Sequence, residues 1–288
     1  MNGFLHAFIL SYTKERGNAH SSPTYSLWSL KWESPARNRM NQVIETILQH
    51  RSIRRFEDQP LTDEQIRTIV ECAQAASTSS YVQAYSIIGV KDPEKKRKLA
   101  ELAGNQSYVE HNGHFFVFCA DFHRHELIGE LEGKDVLPSL ESTEKFMVAL
   151  IDTALAAQNA AIAAESMGLG ICYIGGLRNN LPEVCALLNV PKRVIPLFGL
   201  AVGYPAQTPD QKPRLPFEHV YHEDEYDQDR ARFIAQLQRY NETVSTYYEQ
   251  RTNGRRRDTW TGQMADTLSR QVRMYMKEFV EGKGFNLR

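Results

Sequence analysis

Residues 143–176 read TEKFMVALIDTALAAQNAAIAAESMGLGICYIGG, and the order of elements spelled there decides the fold. From Thr143 to Met167 apolar side chains recur almost all round a helical period. Between Val148 and Ala164 the only charge is Asp152. A helix of that kind belongs inside a core. Asp152, Gln158 and Asn159 interrupt the run, which argues against a membrane span. Gly168 and Gly170 end the helix. Ile171 to Ile174 then reads as a strand, and Gly175-Gly176 follows, where bare backbone can come close to a flat ligand.

Working outward, Leu181–Leu188 reads as a helix with Pro182 in its first turn. Val194–Val202 reads as a buried strand. Lys212-Pro213-Arg214-Leu215-Pro216 is an extended segment fixed by proline. Two further helices are expected, about residues 228–250 and 261–281, with Arg251-Thr252-Asn253-Gly254-Arg255-Arg256-Arg257-Asp258 between them. Upstream, Phe115–Ala120 is an apolar run of strand length and should be central. Residues 126–141 read as a polar surface excursion. Tyr85–Val90 is another strand, and Asp92-Pro93 opens a short charged helix. Thr62 and Gln65 form a capping box at the start of a helix. That helix runs into the small-residue loop Ala75–Ser80. A first helix begins at Met40, with Val43, Ile44, Ile47 and Leu48 on its apolar face. There is no internal repeat. The order predicts an α+β fold: a mixed central sheet, one long core helix and a helical C-terminal arm.

Composition narrows the function. The 288 residues carry 34 Lys+Arg against 35 Asp+Glu, a formal charge of −1. That balance excludes nucleic-acid binding driven by bulk charge, so any anion site must come from local clusters. A mean hydropathy of −0.47 argues against a membrane protein. The 13 Phe, 13 Tyr and 3 Trp exclude low-complexity disorder. Cys72, Cys119, Cys172 and Cys185 form no C-x-x-C pair and sit in apolar contexts, as buried thiols in a reducing cytoplasm would. Phe4–Leu10 is apolar but interrupted by His6, and no basic residue precedes it, a poor match to a signal peptide. Residues 1–39 read as an extension outside the core, flexible or artefactual, with Met40 as the candidate natural start. An intact Met1 terminus, found by mass spectrometry of protein from the native host, would end that idea.

Several motifs fail. Gly168-Leu169-Gly170 begins like a dinucleotide fingerprint, but it lies after a helix and before a strand and lacks the third glycine. Gly129–Lys134 is one residue short of a P-loop. His123 and His125 lack a partner cluster, so no metal is expected. Three cationic clusters survive: His50-Arg51-Ser52-Ile53-Arg54, Lys212-Pro213-Arg214, and the arginines of 251–257. Each reads as a phosphate grip or as a solvated basic turn. Between them lie loops rich in hydroxyls, amides and glycine: Ser77–Ser80, Gly104-Asn105-Gln106 and Tyr173–Gly176. Such loops can read the polar edge of a heterocycle. Together these features suit a phosphorylated aromatic cofactor.

The strings HRSIRRF, AASTSSYVQAYSIIGV, LAGNQSYVE, FFVFCADFHRH, AAESMGLGICYIGGLRNN, PLFGLAVGYP, KPRLP and RTNGRRRDTW together resemble the NADPH-dependent FMN reductase and oxygen-insensitive nitroreductase family. Within it, the likeness is to Bacillus-type NADPH–FMN reductases. The resemblance runs from about residue 40 to the C-terminus. It implies a homodimeric α+β sandwich with FMN at the dimer interface and C-terminal arms, here residues 228–288, that wrap the partner. It implies that His50, Arg51 and Ser52 contact the FMN phosphate and ribityl chain, and that Lys212 and Arg214 close on the phosphate. Arg54 would lie near the pyrimidine edge of the ring. Thr78 and Gln106 would bond the ring system, with the Ser77, Ser79 and Ser80 hydroxyls close by. Tyr173, Ile174, Gly175 and Gly176 would line it. Arg251 and Arg256 match the loop linked to the NADPH 2′-phosphate, and Arg255 adds a cation where some relatives have an amide. The implied activity is ping-pong, two-electron hydride transfer from NADPH through bound FMN to free flavin, nitroaromatic or quinone acceptors. No side chain is singled out as catalytic. The alternative is a non-catalytic FMN-binding or nucleotide-sensing protein.

Overall fold

Ser142 caps the long helix by accepting from the Lys145 amide, and the chain stays helical from Thr143 to Ser166. Gly168 then turns with φ +77°, in the left-handed region where a side chain would be strained. These contacts come from a computed structural model, which describes residues 41–288. The expectations for residues 1–39 and for a start at Met40 lie outside the described residues.

The elements in chain order are α1 (Gln42–Leu48), α2 (Asp63–Gln74), β1 (Tyr85–Val90), α3 (Pro93–Leu102), α4 (Ser107–Glu110), β2 (His114–Asp121), α5 (His123–Glu132), α6 (Leu137–Leu140), α7 (Thr143–Ser166), β3 (Gly170–Ile174), α8 (Leu181–Leu187), β4 (Val194–Gly203), α9 (Arg230–Arg251), α10 (Trp260–Leu268) and α11 (Met276–Gly282). The four strands run in the order β1-β2-β4-β3, and every pair is antiparallel. The sheet itself is therefore antiparallel, and an isolated parallel bridge outside it joins Ser52 to Ile171. Strand β2 is buried along its whole length. Its alternation sends Phe116 and Phe118 to one face, where they meet Ala156, Ala157, Ala160 and Ala161 of α7. Phe115, Val117 and Cys119 pack on the other face with Leu99 of α3 and Val184 of α8. The alanines of α7 let the helix lie close to the sheet. Each fully buried phenylalanine contributes roughly 1.5–3 kcal/mol.

Three expectations need correction. Residues 126–141 lie at the surface but are not irregular: α5 and α6 occupy most of the stretch, and α5 stops at Gly133 with φ +62°. The expected helix over 261–281 is two helices. Between α10 and α11 the chain turns at Arg273, φ +55°, and Tyr275 docks onto the core. Its hydroxyl donates to the Arg178 carbonyl at 2.7 Å and accepts from the Leu181 amide at 2.9 Å. Those bonds outweigh helical continuity. Finally, α7 is not buried all round. Met147, Ile151 and Leu155, four residues apart in turn, leave an apolar stripe exposed. By length and composition α7 is the one described helix apolar enough to cross a membrane, yet half of its apolar window is buried in this core.

The last residues of the C-terminal segment dock on their own chain. Phe285 is fully buried beside Phe122 and Phe146, and Arg193 donates to the Gly284 carbonyl at 2.9 Å.

Candidate functional site

The chain leaves α1 extended and runs beside β3. Ser52 bridges Ile171, and the Ile53 amide donates to the Ile171 carbonyl at 2.8 Å. Gly170 permits this approach, because a Cβ there would lie 2.6 Å from Ile53 Cγ1. The Gly-Leu-Gly that mimics a dinucleotide fingerprint is therefore a stop and a packing point. With Ile53 buried, the alternation of an extended chain turns Ser52 and Arg54 the other way. They face a cleft of about 190 Å³ shared with His50 and Arg51.

The opposite wall comes from the connection after β4 and from the end of α9. Pro209, Asp210, Lys212 and Arg214 line it, with Arg251. Two hydrogen bonds hold this strap in place. Gln211 Nε2 donates to the Leu48 carbonyl at 2.8 Å, and the Tyr240 hydroxyl donates to the Pro213 carbonyl at 2.9 Å. Clusters some 160 and 200 residues apart in sequence thus meet across one cleft.

Its electrostatics are one-sided. Among the described residues, none of Arg51, Arg54, Lys212, Arg214 and Arg251 forms an ion pair with a carboxylate. Neighbouring arginines do: Arg256 pairs with Asp258 at 2.5 Å, and Arg257 pairs with Glu249. Arg51 Nε donates to the Gln49 carbonyl at 3.1 Å, and the guanidinium tip bonds to no other protein group among the described residues. Asp210 also lines the cleft, in an ion pair with none of the five, and five cations against one carboxylate leave a net positive charge that favours an anion. Guanidiniums, an ammonium and the Ser52 hydroxyl are the donors that a phosphate dianion takes. The residues present fit the phosphate end of FMN.

A second group continues from the cleft through Arg54. Its guanidinium lies beside the Tyr108 phenol and Cys172, while burial pushes both groups above their ordinary pKa. The Tyr108 hydroxyl donates to Gln106 Oε1 at 2.7 Å, and Gln106 Nε2 donates to the Ala103 carbonyl at 2.9 Å. Gly176 lies directly against this pair: a Cβ there would sit 2.5 Å from the Ala103 oxygen and 2.8 Å from Gln106 Nε2. Gly175 makes room for the Arg178 guanidinium, 3.0 Å from where its Cβ would be. On β3, Ile174 points into the core and Tyr173 points out, its ring packed edge to face with Phe198 at a centroid separation of 5.5 Å.

The hydroxyl loop is elsewhere along α7. Ser77, Thr78 and Ser79 do not line the cationic cleft. Asp152 sets this loop: Oδ1 accepts from the Ser79 amide at 2.8 Å and Oδ2 from the Ala84 amide at 3.1 Å. Between those pins Ser80, Tyr81 and Gln83 all have positive φ. The three side-chain hydroxyls of 77–79 bond to no protein group among the described residues. Asp152 and Glu165, which binds His50, are thirteen residues apart, about 20 Å along α7.

The arginine loop divides. Arg251 joins the anion cleft and donates to the Tyr247 hydroxyl at 2.8 Å. Arg256 does not line that cleft; it lies over the Tyr248 ring at 4.7 Å and is held by Asp258. Asp152, Glu165 and Tyr108 escaped sequence reading as site residues. Only Asp152 carried a signal, as the lone charge in an apolar helical stretch. His125 Nε2 is bonded to the Val82 carbonyl at 2.7 Å, and the described residues contain no cluster of three or more metal-ligating side chains.

The sequence pattern of the Nitroreductase family matches residues 47–204, and that of the Nitroreductase family, C-terminal domain, matches residues 212–288. The FMN reductase (NADPH) of Bacillus subtilis (strain 168) is 60% identical over 247 residues, covering 86% of this chain and 99% of the relative. A solved structure of B. megaterium NfrA1 superposes with a TM-score of 0.85 at 70% identity, over 85% of this chain and 100% of that one. The NADPH:FMN oxidoreductase from Vibrio harveyi, complexed with NAD+, superposes with a TM-score of 0.78 at 42% identity, over 86% and 100%. The strand order, the cationic cleft at the start of β3 and these likenesses agree: the chain belongs to the nitroreductase family.

Proposed function

We propose that the protein is an FMN-containing NADPH oxidoreductase that passes two electrons from NADPH, through bound FMN, to free flavin, nitroaromatic or quinone acceptors. The observation that carries this reading is the cleft where Arg51, Arg54, Lys212, Arg214 and Arg251 converge, none of them in an ion pair among the described residues, with Asp210 the one carboxylate in its lining. The relatives named as an NADPH-dependent FMN reductase and an NADPH:FMN oxidoreductase support it. FMN supplies the hydride chemistry when bound. The chain's own residues do the rest. His50, Arg51, Ser52, Lys212 and Arg214 hold the phosphate. Arg54 and Gln106 bond the ring's polar edge. Tyr173, Ile174, Gly175 and Gly176 line its face with little bulk. The free hydroxyls of Ser77, Thr78 and Ser79 bond the ring system. Arg251 and Arg256 serve the nucleotide phosphates of NADPH, with Arg251 also facing the FMN phosphate.

Residues 40–288 act as one unit in this reading, because the cleft draws on both matched segments: Arg51 on one side, Lys212 and Arg251 on the other. The working form is a homodimer with FMN at the interface and the 228–288 segment contributing to it. The exposed stripe Met147, Ile151 and Leu155, with Val43 and Leu48 of α1 also exposed, is the surface a second copy would bury. Four free thiols, three of them buried, suit a reducing cytoplasm. The test is to purify the protein and add NADPH without oxygen. A yellow protein that bleaches, and recolours with a nitrofuran or free FMN, supports the enzyme. A yellow protein that NADPH leaves unchanged would mean a flavin binder without this activity.

A further inference from the structure

His50 is not held by the strap or by its arginine neighbours. Its Nδ1 lies 2.7 Å from Glu165 Oε1, one residue before the end of α7. A carboxylate only accepts hydrogen bonds, so Nδ1 carries the shared proton, and Nε2 is the ring nitrogen left for the cleft. Glu165 is largely buried, its side chain 14% exposed. It also lines a neighbouring cleft of about 400 Å³ together with Arg51. Yet it pairs with the imidazole and leaves the Arg51 guanidinium without a carboxylate. The other charged groups around the cleft are Arg51, Arg54, Lys212, Arg214, Arg251 and Asp210.

That arrangement has a consequence for an anion. Asp210 already brings one carboxylate to the cleft; a bare Glu165 would add to the repulsion of a phosphate, and its contact with His50 offsets that. The same contact sets the ring's orientation, as the buried partner of a catalytic or metal-bound histidine does. We propose that Glu165 is a positioning residue for FMN. It fixes the His50 imidazole through Nδ1–H, so that the ring is held in one orientation with Nε2 left for the phosphate side of the cleft. The inference rests on the proposed FMN site and adds to it a residue that no cationic motif contains. It also ties the cofactor's phosphate to the core helix, since Glu165 and Asp152 belong to the same rigid element.

The experiment is a double-mutant cycle read as the FMN dissociation constant of the apo-protein, by quenching of flavin fluorescence. His50→Ala and Glu165→Ala should each weaken FMN binding about tenfold. The double variant should bind no more weakly than His50→Ala alone, because Glu165 acts through the imidazole. Glu165→Gln keeps an acceptor for Nδ1–H and should stay within about threefold of the unaltered protein. Glu165→Ala binding as tightly as the unaltered protein would overturn the proposal. So would a double variant whose loss is the product of the two single losses. Where the alanine variant does not fold, Glu165→Gln decides: a tenfold or greater loss of FMN binding would show that an acceptor for Nδ1–H is not what Glu165 supplies, and would overturn the proposal. If the unaltered protein binds no FMN, the functional reading itself fails, and the two failures are thereby told apart.

Discussion

Replacing Asp152 by alanine would strip two backbone amides of their common acceptor. Asp152 is fully buried, and its oxygens take the Ser79 amide at 2.8 Å and the Ala84 amide at 3.1 Å. Ala84 is fully buried as well, so water cannot replace that bond. An orphaned buried donor costs about 1–3 kcal/mol. Ser79 is only half-buried, and its amide regains part of the loss from solvent. Releasing the loop also relaxes Ser80, Tyr81 and Gln83, whose φ values of 49°, 59° and 55° are unfavourable for residues with a Cβ. That relaxation offsets part of the loss, and the net expectation is about 2 kcal/mol. At roughly 2–4 °C per kcal/mol for a chain of this size, Tm falls by about 4–8 °C. Asp152→Asn keeps one acceptor but sets an amide donor against an amide donor, so it should lose nearly as much. Glu144→Ala, at an exposed site on the same helix, is the control and should change stability by about 0.5 kcal/mol or less. Thermal unfolding followed by circular dichroism gives the comparison. If Asp152→Ala melts within 2 °C of the unaltered protein, roughly the effect of a surface change, the clamp has been misread.

Other expectations concern the site and the pH response. Gly176→Ala places a Cβ 2.5 Å from a backbone oxygen, which cannot move aside cheaply. It should lower stability by about 1–3 kcal/mol and reduce flavin bound per chain, read from the visible spectrum. Arg256→Ala should raise the KM for NADPH about tenfold and leave that for NADH nearly unchanged; equal effects on both would remove Arg256 from the 2′-phosphate. The loss stays near tenfold because Asp258 already offsets part of the arginine's charge. Burial, with Lys91 and Lys96 adding to it, pushes His114 down to about 4 from 6.5. Between pH 6.5 and 4 the unfolded chain therefore binds a proton that the folded chain does not, and stability falls as the pH drops through that window. From pH 7 to pH 5 this site should contribute a loss of about 2 kcal/mol. Urea midpoints should show His114→Asn falling less than the unaltered protein over that range; parallel declines would exclude His114 as the source.

Where local chemistry sets an element, the chain announces it. The capping box of Thr62 and Gln65 forms as written, with both reciprocal hydrogen bonds present. Tyr85–Val90 is a strand as expected, and the apolar run at 115–120 lies in the central strand β2. The core helix runs from Thr143 to Ser166 because its caps, Ser142 and Gly168, are adjacent in sequence to what they terminate. The helix ends near 268 and 276 were not legible. What stops the chain there is Tyr275 reaching Arg178 and Leu181, residues nearly a hundred positions away.

The candidate site divides in the same way. The sequence by itself determined which side chains could hold a phosphate or face a ring, since residue type fixes charge, donor count and bulk. It pointed to three cationic clusters and three polar loops, and through their strings to a family. Only the tertiary structure decided which of these work together. It joined His50–Arg54, Lys212–Arg214 and Arg251 in one cleft and set Arg256 apart on Tyr248 and Asp258. It also kept Ser77–Ser79 out of that cleft. It recruited Glu165 and Asp152, which no motif marks, to hold His50 and the hydroxyl loop. The physical reason is range. Helix periods and caps act over three or four residues, whereas a cleft needs strands, a strap and a helix end to converge. That convergence depends on Gly170 against Ile53, Gln211 against Leu48 and Tyr240 against Pro213, contacts between segments far apart in the chain.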